Sequence, residues 1–124
     1  MSNVMIVDDS KVIRKLIGHI LVKNNFTYIE AENGLEALEL LVMNDIDVII
    51  ADLNMPQMTG LELIKAVRES ECYDKIPILM LTTDTNEDTK SNCLAAGANI
   101  FMSKPMPPDL LISEIRRLIE ELKQ

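Results

Sequence analysis

Five times along this chain a short strand-forming run gives way to a longer segment with helical periodicity. The runs are Met5-Ile6-Val7, Thr27-Tyr28-Ile29, Val48-Ile49-Ile50-Ala51, Ile78-Leu79-Met80-Leu81 and Ile100-Phe101-Met102. Most are apolar throughout and do not alternate with polar residues, as a strand with one wet face would. Strands apolar on both sides need cover on both sides, and helices between successive strands supply it. The pattern therefore predicts an α/β fold, a five-stranded parallel sheet with five helices on its two faces.

The helices are read from their spacing. Ile13, Leu16, Ile17, Ile20 and Leu21 fall at i, i+3, i+4, i+7 and i+8, which predicts a first helix with that face inward. After Asn33-Gly34 a second helix carries Ala37, Leu38, Leu41 and Val42, and after Gly60 a third turns Leu61, Ile64 and Val67 inward. A fourth, roughly over 86–96, is polar until Leu94-Ala95-Ala96 and closes at Gly97. The last follows Pro107-Pro108 and places Leu111, Ile115, Leu118, Ile119 and Leu122 on one face. No linker or low-complexity run remains, so residues 1–124 are expected to form one domain without an output domain.

Composition excludes several functions. A net charge of −8 argues against nucleic acid or an anionic membrane as partner, because both are bound through clustered Lys and Arg. No apolar run is long enough to enter a bilayer, and the first residues lack the features of a secretion signal. Cys72 and Cys93 have no metal-ligand spacing and are expected to be free thiols in the cytoplasm. His19 stands alone in a helical stretch and is expected to be solvated or partly buried. With two Phe, two Tyr and no Trp, the core must be aliphatic, and the eight Met serve as adaptable filler.

In open parallel sheets, sites form beyond the carboxyl ends of the strands. Here those ends carry Asp8-Asp9, Asp52, Thr82 and Lys104. If the first strand lies between the second and third, three carboxylates, a hydroxyl and an ammonium share one edge. Carboxylates so close repel unless a cation neutralises them. Their oxygens suit Mg²⁺, and the absence of His and Cys argues against zinc. A divalent ion, Lys104 and Thr82 could together hold a phosphoryl group, and aspartate can itself accept one. Asp52, at the tip of the central strand, is the candidate nucleophile. Each residue also has an ordinary use, Asp8-Asp9 as helix caps, Lys104-Pro105 as an exposed loop, Thr82 as a strand former. The case rests on their occurring together.

At these residues the chain resembles the receiver domains of two-component response regulators, and most of all the stand-alone chemotaxis regulators. VDDS at 7–10, DLNMPQMTG at 52–60, LTT at 81–83 and SKP at 103–105 match the family's motifs in order and spacing. The resemblance implies a flavodoxin-like strand order of 2-1-3-4-5. It implies that Asp52 is the phosphoacceptor, and that Asp9, Asp52 and the backbone carbonyl of Asn54 bind Mg²⁺, with Asp8 acting through water. Thr82 would bond the phosphoryl group, Lys104 would pair with Asp52, and Phe101 would be the aromatic of a Thr82–Phe101 switch. The Lys104–Pro105 bond would be cis. The implied partners are a histidine kinase as phosphodonor, a phosphatase, and an unidentified output protein on the face from the fourth helix to the fifth.

Several residues depart from the family pattern. Phe101 lacks the hydroxyl of the tyrosine usual in chemotaxis regulators. Thr83 is bulkier than the usual Ala, Gly or Ser and is expected to screen the phosphoryl group, slowing its loss. Met106 stands where an aromatic often follows Lys-Pro. Glu87 and Glu114 occupy positions at which chemotaxis members carry lysines, and Asp88 adds to the acidity of that face. The face is therefore expected not to bind a flagellar-switch peptide in the usual way and to be either a solvated polar face or the surface for a different partner.

The resulting expectation is a phosphorylation-controlled switch and not an enzyme beyond its own phosphorylation and dephosphorylation. A relay intermediate or phosphate sink is the alternative. An aspartyl-nucleophile phosphohydrolase would need a second acid two residues after Asp52, where Asn54 stands. A flavodoxin-like nucleotide binder would need a Gly-rich phosphate loop, and Asp8-Asp9 would repel the phosphate.

Overall fold

The computed structural model describes residues 2–122, apart from the Leu122 side chain, so the inward placement expected of Leu122 lies outside the described residues. Its elements run β1 (Asn3–Val7), α1 (Lys11–Lys23), β2 (Thr27–Ala31), α2 (Gly34–Met43), β3 (Val48–Ala51), α3 (Gly60–Glu69), β4 (Ile78–Thr82), α4 (Glu87–Ala96), β5 (Ile100–Ser103) and α5 (Pro108–Leu122). All strand pairs are parallel, in the order β2-β1-β3-β4-β5 that the resemblance implied.

The strands divide their side chains between two cores. Met5, Val7, Ile49, Ala51, Ile78 and Met80 face α2, α3 and Cys93 of α4. Val4, Ile6, Val48, Ile50, Leu79 and Leu81 face α1 and α5. β1, β3 and β4 are buried along almost their whole length, which is why their sequences do not alternate. Met5 and Met80 are core filler as expected, whereas Met43 is exposed on α2.

The helix faces differ in detail from the spacing. α1 buries Arg14, Ile17, Gly18 and Leu21, while Leu16 is 57% exposed and Ile13 and Ile20 are half-buried. The buried stripe is thus turned by about one residue, and Gly18 sets it. A Cβ on Gly18 would lie 2.5 Å from a Tyr28 ring carbon, so the helix backbone packs directly against that ring there. Val42 is 74% exposed, and in α3 Leu63 is fully buried where Leu61 is only half-buried.

α3 begins with a capping box, in which Thr59 and Glu62 satisfy each other's backbone N–H groups. Next comes Gly60, whose N–H donates to the Leu53 carbonyl at 2.8 Å. A Cβ there would fall 2.4 Å from the Asp52 carbonyl oxygen and 2.9 Å from Leu53 Cα. Both obstacles are backbone of the β3–α3 loop and cannot turn aside. Gly60→Ala is expected to lower the unfolding free energy by about 3 kcal/mol, the upper end of the usual overpacking cost, as read by urea titration.

At the opposite end of the sheet Arg68 joins α3 to the α4–β5 turn. Its Nε and Nη2 donate to the Gly97 carbonyl at 3.0 and 2.8 Å, and Nη2 also donates to Asn99 Oδ1 at 2.9 Å. Its Nη1 donates to the Asp74 and Ile76 carbonyls at 2.9 and 2.7 Å. α4 itself ends at Gly97, in the left-handed region at φ 124°, as its glycine foretold, and fully buries only Cys93.

Candidate functional site

The sheet's hydrogen bonding continues past the strand ends and fixes the residues beyond them. Asp8 N–H donates to the Ala31 carbonyl at 3.1 Å, Asp52 N–H to Val7 at 2.9 Å, and Lys104 N–H to Thr82 at 2.9 Å. Asp8, Asp52 and Lys104 are therefore each tied to a neighbouring strand. Their convergence follows from the strand order, since β1 lies beside β3 and β3 beside β4.

Oxygens of Asp8, Asp9 and Asp52 lie within 4.8 Å of one another. Asp52 Oδ1 accepts the Leu53 N–H at 2.8 Å. The Lys104 ammonium lies 2.7 Å from Asp8 Oδ2 and 3.5 Å from Asp52 Oδ2. The lysine expected to pair with Asp52 is thus nearer to Asp8. The reason is burial: the Asp8 side chain is 4% exposed and that of Asp52 13%, so Asp8 has less water to replace the lysine. Asp8, expected to act through water, is bonded directly to Lys104 and, at Oδ1, to the Ser10 N–H at 2.9 Å. Asp9 is exposed.

Thr82 is fully buried, and its Oγ1 accepts the Asp84 N–H at 3.2 Å. Phe101 is half-buried against the same core as Met80, on the strand beside Thr82. Asn54 and Thr83 are exposed, and the Lys104–Pro105 bond is cis. Thr83 and Lys104 share a cleft of about 310 Å³ with Ile13, Leu16, Pro105 and Met106. On the α4–β5–α5 face Glu87 and Asp88 are exposed, but Glu114 is paired with Arg117 of its own helix.

Three carboxylates face one ammonium, which leaves a surplus of negative charge on a rigid edge. The donor set is oxygen only, so the residues present fit a hard divalent cation such as Mg²⁺. Spacing missed one participant. Arg14 is buried in the α1 stripe and donates to the Asp8 carbonyl. Its signal was its place at i, i+3, i+4 and i+7 with Ile17, Gly18 and Leu21.

Residues 4–116 match the family model of the response regulator receiver domain. The chain belongs to that family. This receiver domain is 38% identical over 117 residues to a chemotaxis protein CheY homolog of Campylobacter jejuni, covering 93% of this chain and 90% of that one. It is 37% identical over 128 residues to the two-component response regulator ARR17 of Arabidopsis thaliana, covering 94% of this chain and 81% of the plant protein. Among solved structures, chemotaxis protein CheY4 of Vibrio cholerae superposes with a TM-score of 0.90 at 42% identity, covering 95% of this chain and 98% of that one. Similar identity to a chemotaxis protein and to a plant regulator identifies the family and not a pathway. Receiver domains bind Mg²⁺ at an acidic aspartate cluster, which here is Asp8, Asp9 and Asp52. No helix among the described residues is long and apolar enough to cross a membrane.

Proposed function

We propose that this receiver domain is a phosphorylation-controlled switch in which Asp52 accepts a phosphoryl group from a histidine kinase. The carrying observation is the Asp52 carboxylate at the tip of the central strand, with one oxygen held by Leu53 and the other toward Lys104. A carboxylate oxygen of Asp52 attacks phosphorus, and the bond from phosphorus to the donor's histidine nitrogen breaks. The electron pair stays on the imidazole, which takes a proton from solvent. Asp9, Asp52 and the Asn54 carbonyl, with Asp8 through water, would hold Mg²⁺, which when bound would supply positive charge at the phosphoryl oxygens.

Lys104 offsets the charge that the phosphoryl group brings, and the Thr82 hydroxyl has a hydrogen to donate to it. Thr82 and Phe101 lie on paired strands, so drawing Thr82 toward phosphate frees space beside the aromatic ring. That shift biases two packings of β4, α4 and β5, and an output protein on the α4–β5–α5 face reads the result. A relay or phosphate-sink role would use the same chemistry without an output partner. Asn54 cannot act as a second acid, which argues against a turnover phosphohydrolase.

The test is intact mass after incubation with a small acyl-phosphate donor. One phosphoryl group is expected with Mg²⁺ and none without it. No adduct under any condition, with histidine kinase added, overturns the reading. Thr83→Ala is expected to lose its phosphoryl group several-fold faster, because Thr83 is exposed and lines the same cleft as Lys104. Mass spectra timed after donor removal check this.

A further inference from the structure

Among the described residues the buried polar and charged side chains are Asp8, Arg14 and Thr82. Two belong to the acidic edge and its hydroxyl. The third, Arg14, has no part in the chemistry above, yet a guanidinium is costly to bury unless its place is specific.

Its partners show what it holds. Arg14 Nη1 donates to the main-chain carbonyl of Asp8 at 2.6 Å. Its Nε donates to Glu30 Oε1 at 3.0 Å, and Glu30 also accepts from Lys15 at 2.7 Å. The Lys15 hydrogen bond, ahead of the one from Arg14, holds the Glu30 carboxyl below its usual range. Glu30 is on β2, and so aims the guanidinium from a strand next to β1.

The Asp8 carbonyl belongs to the peptide that joins Asp8 to Asp9. Asp8 N–H is fixed by Ala31, and both Asp8 carboxylate oxygens are bonded. The Asp9 side chain, by contrast, makes no hydrogen bond or ion pair with any of the described residues, and it is exposed. Where its carboxylate points thus depends on the plane of the Asp8–Asp9 peptide. Arg14 grips the oxygen of that plane.

We infer that Arg14 is a positioning residue, aimed by Glu30, which sets the Asp8–Asp9 peptide and thereby the affinity of the aspartate cluster for a divalent cation. The inference rests on the metal reading given above. A planar guanidinium can hold the carboxylate and the carbonyl at once through separate nitrogens, which a lysine ammonium cannot do in the same geometry. Groups that orient metal ligands from behind commonly change metal affinity by about tenfold or more.

The experiment is titration calorimetry of the unphosphorylated protein with Mg²⁺, for the native chain, Arg14→Lys and Glu30→Gln. Arg14→Lys keeps the charge and is expected to bind Mg²⁺ about tenfold more weakly. Phosphorylation from an acyl phosphate should then need more Mg²⁺ for half-maximal rate while reaching the native maximum. A folded Arg14→Lys that binds Mg²⁺ within about twofold of the native chain overturns the inference, as does a deficit confined to the maximal rate. If Arg14→Lys does not fold, Glu30→Gln decides: weaker binding supports the inference and unchanged binding overturns it. Failure of the native chain to bind Mg²⁺ would instead overturn the metal reading, and the inference with it.

Discussion

Asp52→Asn is expected to gain no phosphoryl group under conditions in which the native chain is expected to gain one. The amide keeps the shape of the side chain and an oxygen to accept the Leu53 N–H, now held at 2.8 Å, so the strand tip is not disturbed. It loses the anionic oxygen that attacks phosphorus, and an amide is a poor nucleophile. It also removes one of three like charges within 4.8 Å, so the variant is expected to be at least as stable as the native chain without metal. Loss of phosphorylation together with a retained or raised urea midpoint separates chemistry from folding. A phosphoryl adduct on the variant would move the acceptor to another carboxylate, and the exposed Asp9 would be examined first.

Lys104→Met is expected to lower stability substantially in metal-free buffer. The Lys104 side chain is 15% exposed and sits against a carboxylate that is 4% exposed. Removing one partner of a buried pair costs about 3–5 kcal/mol, because the other charge stays buried and uncompensated. Ser10 still donates to Asp8, and Asp52 retains some water, so about 2–3 kcal/mol is expected here. The loss shrinks when Mg²⁺ is supplied. The variant cluster holds its carboxylates without the competing ammonium, so Mg²⁺ should bind it more tightly and restore much of the loss. Urea titrations of both chains with and without Mg²⁺ check the pair of effects. An equal midpoint for the two chains without metal would show that Lys104 does not neutralise Asp8.

Much of this was legible from residue order because the strands carry so little ambiguity. β3 and β4 are buried on both faces, so their composition alone forced a covered parallel sheet. The order of the strands came only with the resemblance, since nothing in five apolar runs says which is central. At the site, residue types and their places at strand ends marked Asp8, Asp9, Asp52, Thr82 and Lys104. Which carboxylate holds the lysine was not legible, because it depends on the relative burial of two aspartates. Arg14 was missed because a charged residue in a helix reads as a solvent-facing one. Its role needs Glu30, sixteen residues on, to lie across β1 from the site. Helical spacing turns Leu16 and Val42 inward because it defines a broader stripe than a helix on a sheet can cover; in α1 the Gly18–Tyr28 approach marks the part that is used.

The Arg68 clamp has a mechanical consequence for the signal. α4 is fastened where it ends, at Gly97, and begins only a few residues beyond Thr82. Its 10 residues make a rod of about 15 Å with little apolar footing along its length. Such a rod swings about its fastened end more readily than it slides. A tilt of about 4° carries the other end of a rod that long by roughly 1 Å. The helix is a pointer, with its bearing at Arg68 and its tip a few residues beyond Thr82.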